Sequence, residues 1–169
     1  MSQSDNIALF GGTFDPIHLG HLMIAKEAVK AMDLDEVRFL PCRISPHKTS
    51  RPPTPGEHRL EMIRLAIHDL PWAVADDFEI KSSGPSYSYL TVAETRKRRP
   101  EARIFWLMGC DQWEALPRWR EPEKLAAEVE FIVFSRDADP VPRNGWRLHT
   151  LRGQHPASAT RIRQSLQSG

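Results

Sequence analysis

Cysteine is scarce: Cys42 and Cys110 are far apart and form no Cys-x-x-Cys pair, so neither a disulfide framework nor a zinc knuckle is written into this chain. They read as reduced thiols of a cytoplasmic protein. No apolar run approaches the ~20 residues a membrane span requires, and the polar start Met1-Ser2-Gln3-Ser4-Asp5-Asn6 lacks the apolar centre of a secretory signal. Charge of one sign is missing too. With 23 basic against 22 acidic residues and a net charge of +1, no field marks nucleic acid or a membrane surface as the partner. The basic run Arg96-Lys97-Arg98-Arg99 falls at a predicted helix end, where the dipole favours cations, and no aromatic platform accompanies it, so it reads as a solvated helix end. There is no His-Glu-x-x-His, no internal repeat, and no Gly-x-Gly-x-x-Gly after the first predicted strand, which argues against a dinucleotide-dependent oxidoreductase.

What is present is an alternation of strand and helix. The 169 residues are the length of one α/β domain, here taken as residues 1–169. Ile7–Phe10 predicts a first strand, and Leu19–Met32 a helix with Leu22, Ala25, Val29 and Met32 at helical spacing. Glu36–Pro41 predicts a second strand, Cys42–Pro55 an exposed loop rich in Pro, Ser, Thr and basic residues, and Gly56–Leu70 a second helix. Trp72–Ile80 is a weaker strand, and Ser86 or Ser88 is placed to cap a helix running to about Arg99, before Pro100. Ala102–Met108 and Glu130–Ser135 are buried strands, and Ala157–Gln167 a final short helix. This order predicts a Rossmann-like, doubly wound parallel sheet with helices on both faces and ligands at the carboxyl ends of the strands.

The chemistry concentrates directly after the first strand, in Gly11-Gly12-Thr13-Phe14-Asp15-Pro16-Ile17-His18-Leu19-Gly20-His21. Two glycines between a strand and a helix let the backbone approach an anion closely. His18 and His21 are three apart at the helix start, on one face, and would aim two imidazoles at the anion the amides hold. An ordinary tight turn with histidines capping a helix is the plainer alternative. A metal site is another, but zinc wants three or four ligands and no third is evident nearby.

This eleven-residue string resembles the signature of the nucleotidylyltransferases with a His-x-Gly-His motif, and most closely the bacterial nicotinate mononucleotide adenylyltransferases. Further segments match in the order that family carries them, from Ile7 to Arg163. Ser45-Pro46-His47-Lys48 resembles its Pro-Pro-His-Lys run, with Ser45 in place of the first proline. Ser86-Tyr87-Ser88-Tyr89-Leu90-Thr91-Val92 is similar to its Ser-Tyr-Thr-x-Asp-Thr-Leu, with Leu90 where the family usually has aspartate. Gly109-Cys110-Asp111, followed by Trp119, is similar to its Gly-x-Asp and Trp segment, whereas Trp113 reads as structural. His155 to Arg163 resembles its Ile-Ser-x-Thr-x-Ile-Arg, with Ala157 in place of isoleucine.

The resemblance implies a transferase that joins ATP and nicotinate mononucleotide into nicotinate adenine dinucleotide and pyrophosphate, by in-line attack of the mononucleotide's phosphate. It implies ATP binding by Gly11, Gly12, Thr13, Phe14, His18, His21, Ser158, Thr160 and Arg163, with His18, His21 and Arg163 catalytic. On the acceptor side it implies Lys48, and less firmly His47, on the phosphate, Ser88 beside the pyridine ring, Asp111 on a ribose or other substrate group and Trp119 stacked on the ring. Mg2+ is expected on the ATP phosphates, with no protein ligand. A sister transferase using nicotinamide mononucleotide or phosphopantetheine, and a non-catalytic nucleotide sensor of the same fold, remain alternatives, and a homo-oligomer stays open.

Overall fold

The computed structural model describes residues 4–43, 52–153 and 159–168. Six strands form one sheet: β1 (Asn6–Gly12), β2 (Glu36–Pro41), β3 (Ala73–Ala75), β4 (Arg103–Gly109), β5 (Glu130–Ser135) and β6 (Leu148–Arg152). Their spatial order is β3-β2-β1-β4-β5-β6, and each neighbouring pair is parallel. This is the predicted doubly wound sheet, and its strand order reverses at β1, between β2 and β4.

Strand alternation divides the core between two faces. Ile7 and Leu9 of β1, with Ile104, Trp106 and Met108 of β4 and Phe131 and Val133 of β5, pack toward α4 (Ser88–Arg98), α5 (Cys110–Ala115) and α6 (Pro122–Glu128). Ala8 and Phe10, with Phe105, Leu107 and Ile132, pack toward α1 (Leu19–Met32) and α2 (Gly56–Ile67). The central strands β1, β4 and β5 bury both of their faces, as parallel strands covered by helices require. A short helix α3 (Phe78–Lys81), a 3-10 turn (Leu116–Arg118) and a C-terminal helix α7 (Ala159–Ser168) are the other elements among the described residues.

Several expectations are corrected. The strand predicted over Trp72–Ile80 stops at Ala75, because Asp76 Oδ1 accepts from Phe78 N at 2.9 Å and turns the chain into α3. Neither serine caps α4: its N-cap is Tyr87, with no side-chain hydrogen bond, and Ser86 Oγ instead accepts from Arg43 N at 3.0 Å. The edge strand β6 and the helices α5 and α6 escaped the sequence reading. The basic run is paired rather than simply solvated: Arg96 reaches Glu128 and the carbonyls of Pro100 and Ala102, Arg98 pairs with Glu94, and Arg99 with Asp5.

Candidate active site

Gly11 and Gly12 end β1 at the point where the sheet order reverses. The two glycines have different neighbours. A Cβ on Gly11 would stand 3.0 Å from the Trp106 ring, so that ring lies as close over the turn as it does only because Gly11 has no side chain. A Cβ on Gly12 would meet the Phe14 ring at 3.4 Å, an ordinary contact. Phe14 adopts φ 50°, a left-handed conformation that costs a non-glycine residue about 1 kcal/mol or more. Its ring is buried, edge-on to His21 with centroids 4.9 Å apart and against Phe10 and Phe39. Packing under the loop thus holds a backbone turn that local preference alone would not hold.

The two histidines form a reciprocal cap on α1. His18 Nδ1 accepts from Gly20 N at 3.1 Å, and His21 Nδ1 accepts from His18 N at 3.1 Å. A backbone N–H can only donate, so both Nδ1 atoms are acceptors and each neutral ring carries its proton on Nε2. The rings stack with centroids 3.8 Å apart. Burial, and then the adjacent His18, push the His21 pKa down to about 3. His21 is therefore neutral at physiological pH, and its remaining polar atom is an Nε2–H donor. The first turn of α1 carries no acidic residue, so nothing there competes for an anion at the positive end of the helix dipole.

Two arginines hold the turn between β1 and α1. Arg59 of α2 is only 1% exposed and donates to the carbonyls of Thr13 at 2.8 Å and Thr54 at 2.6 Å. Arg163, from α7 near the other end of the chain, donates to the Asp15 carbonyl. Burial pushes the Asp15 carboxyl up, but hydrogen bonds from Thr54 and the guanidiniums of Arg163 and Arg59 outweigh it and leave its pKa below the ordinary value.

Gly11, Gly12, Thr13, Phe14, His18, His21 and Arg163 are thus gathered at one strand end. Asp111 lies in the exposed first turn of α5, immediately past the carboxyl end of β4. Trp119 is half-buried, edge-on to Trp106 with centroids 6.5 Å apart. Trp113 is buried and donates Nε1 to the Val141 carbonyl at 2.9 Å, the structural role expected of it. Ser88 is the first residue of α4. Lys48, His47 and Ser158 lie outside the described residues, and Thr160 is placed by its backbone in α7. Among the described residues no group of three His, Cys, Asp or Glu side chains could hold a metal ion, and no helix is long and apolar enough to cross a membrane.

Arg59 and Glu79 belong to this region and were not singled out in the sequence. Arg59 did leave a signal: it falls one turn before Ile63, on the apolar stripe of α2, where an arginine needs buried acceptors.

A Rossmann-like sheet with a His-x-Gly-His turn at its switch point defines a class, and the cytidylyltransferase-like family model matches residues 9–165: the chain belongs to that family. Within it, the similarity runs to nicotinate-nucleotide adenylyltransferases. The chain is 44% identical over 133 residues to a probable nicotinate-nucleotide adenylyltransferase of Methylacidiphilum infernorum, covering 79% of this chain and 65% of that protein. It is 36% identical over 162 residues to the nicotinate-nucleotide adenylyltransferase of Bacillus subtilis, covering 96% and 86%. Its fold is that of the Plasmodium falciparum nicotinic acid mononucleotide adenylyltransferase complexed with NaAD, with a TM-score of 0.78 at 20% identity over 95% of this chain and 83% of that one. The chain thus spans just under two thirds of the Methylacidiphilum relative.

Proposed function

We propose that this chain is an adenylyltransferase that joins ATP and nicotinate mononucleotide to give nicotinate adenine dinucleotide and pyrophosphate, acting as a single cytoplasmic domain. The observation that carries this is the contact of Arg163 with the Asp15 carbonyl, which brings a guanidinium from α7 to the turn where His18 and His21 cap α1. The mononucleotide's own phosphate attacks the α-phosphorus of ATP, and no protein nucleophile takes part. Catalysis then consists of bringing two mutually repelling polyanions into line and neutralising the charge that develops on the leaving pyrophosphate.

In this reading the Nε2–H groups of His18 and His21 donate to the triphosphate along with the amides of Gly11, Gly12, Thr13 and Phe14. The Phe14 ring is buried, so its contribution is through its backbone. Because burial keeps His21 neutral in the free protein, its Nε2–H meets the triphosphate as an uncharged donor. Arg163, with Ser158 and Thr160, takes the β and γ phosphates, where a guanidinium can grip two oxygens at once. Magnesium arrives as part of the substrate, on ATP oxygens and water.

On the acceptor side, Lys48 takes the mononucleotide phosphate, Asp111 a ribose hydroxyl and Trp119 a ring face. The start of α4 suits an acid rather than an amide. It has no side-chain cap and no acidic residue in its first turn, so its positive end is available to a carboxylate near Ser88.

The test is to incubate the protein with ATP and nicotinate mononucleotide and to weigh the products. Nicotinate adenine dinucleotide with equimolar pyrophosphate is expected. Product only from nicotinamide mononucleotide or phosphopantetheine would move the assignment to a sister transferase, and ATP binding without pyrophosphate release would make the chain a sensor.

A further inference from the structure

Glu79 lies on α3, is only 5% exposed, and one of its carboxyl oxygens, Oε2, has no hydrogen-bond partner. Such a group is costly, because a desolvated carboxylate oxygen without a donor gives up its hydration for nothing. The carboxyl is hydrogen-bonded by the hydroxyls of Thr91 and Ser86. Those two residues bracket the start of α4: Ser86 immediately precedes its N-cap Tyr87, and Thr91 is in its first turn. Ser86 Oγ also accepts from Arg43 N at 3.0 Å, which ties the same carboxyl to the exit from β2. A fold that needed only a link between these elements would be served by a neutral side chain.

We propose that Glu79 is a positioning residue that sets selectivity for an anionic acceptor: its carboxyl stands behind the uncapped start of α4, and its charge decides how well that end receives a second carboxylate. The inference rests on the functional reading above and deepens it. A neutral Glu79 leaves the positive end of α4 to the substrate's carboxylate. An ionised Glu79 occupies that end electrostatically and repels it. An amide acceptor, lacking the charge, is indifferent to the change.

The surroundings place the switch in an accessible range. Burial pushes the Glu79 pKa up to about 7, the Thr91 and Ser86 hydroxyls restrain it, and the charge of Asp76 adds to the rise. Asp76, on the link from β3 to α3, is itself ion-paired with Arg38 at 2.8 Å. Cys42, after β2, also senses Glu79: burial pushes its thiol up, with Arg59 opposing and the charge of Glu79 adding to the rise.

The experiment measures kcat/KM for nicotinate mononucleotide and for nicotinamide mononucleotide with the wild-type chain from pH 6 to 8.5. Both acceptors carry the same phosphate, so its titration cancels in their ratio, and the nicotinate carboxylate is ionised throughout. The ratio of acid to amide is expected to fall about tenfold across this range, as a second charge within roughly 8 Å implies. In Glu79→Gln, which keeps the shape and is permanently neutral, the ratio should stay high and flat, with the thermal melt confirming that the variant folds. A flat wild-type ratio with normal turnover, or a Glu79→Gln profile matching the wild type, would overturn the inference alone. Absence of pyrophosphate with either acceptor would bring down the functional reading and this inference with it.

Discussion

The two edges of the sheet handle charge in opposite ways. At the amino edge, ionisable side chains are matched to one another. Glu130 at the start of β5 receives Arg103 at 2.5 and 2.7 Å and His149 at 3.0 Å, and Arg99 pairs with Asp5. At the carboxyl edge around β1, by contrast, two cations are set on neutral backbone groups, Arg59 on Thr13 and Thr54 and Arg163 on Asp15, although Asp76 past β3 and Arg152 at the end of β6 still pair with Arg38 and Asp139. Histidines there accept from amides, and Glu79 keeps an oxygen without a partner. Charge cancelled within the protein gives stability, whereas charge and donors resting on carbonyls and amides retain attraction for a polyanion. The amino edge therefore reads as scaffold and the carboxyl edge as site.

The largest test of that division is His21→Ala. Removing the Nε2–H donor should lower kcat by roughly two to three orders of magnitude, the range seen when a preorganised donor to developing charge is deleted. Stability should fall far less, since the loss is one cap hydrogen bond and part of a buried ring. Initial rates and a urea melt on the same preparation check both. Near-normal turnover would remove the imidazole from the mechanism.

Glu130→Gln probes the opposite edge and should leave kcat/KM within about twofold while costing on the order of 1–2 kcal/mol of stability, the scale of weakening charge-assisted hydrogen bonds. Its dependence on pH separates the edges further. Hydrogen bonds from Arg103 lower the Glu130 pKa to about 2, with burial opposing and His149 adding to the lowering. Its contribution is present above the unfolded carboxyl's value of 4.5 and is lost as pH falls toward 2. His21 acts in a higher window. Below 6.5 the unfolded chain takes up a proton that the folded one refuses until about 3, so stability declines as pH falls through that range. Glu79 runs the other way, favouring the folded state as pH falls from about 7 toward 4.5. Urea midpoints at pH 7, 5 and 3.5 should therefore diverge from wild type over the whole descent below about 6.5 for His21→Ala, and only between 5 and 3.5 for Glu130→Gln.

How much of this could be seen in advance also differs between the regions. The β1 turn and α1 were legible because a dense motif and a clean 3.6-residue period coincide, and α1 spans Leu19–Met32 as predicted. β6 was not, because Leu148–Arg152 is a partly exposed edge strand whose Leu-His-Thr-Leu-Arg carries little apolar signal. α5 and α6 are too short to show a period, and Pro117 and Pro122 interrupt their region. Glu79 was hidden because its meaning lies in contacts with Ser86 and Thr91 that only the folded chain creates. The histidines, by contrast, announced themselves by spacing.

The smallest effect expected concerns the position where this chain departs from the resemblance. Leu90 is 46% exposed and stands three residues past the N-cap of α4, a helix with no acidic residue in its first turn. An exposed leucine there contributes little packing, whereas a carboxylate meets the positive end of the dipole. Leu90→Asp should therefore be neutral or stabilising by about 0.3–1 kcal/mol, less at high salt. If Leu90→Asp is instead destabilising, the start of α4 is not the open positive end that separates this edge from its counterpart.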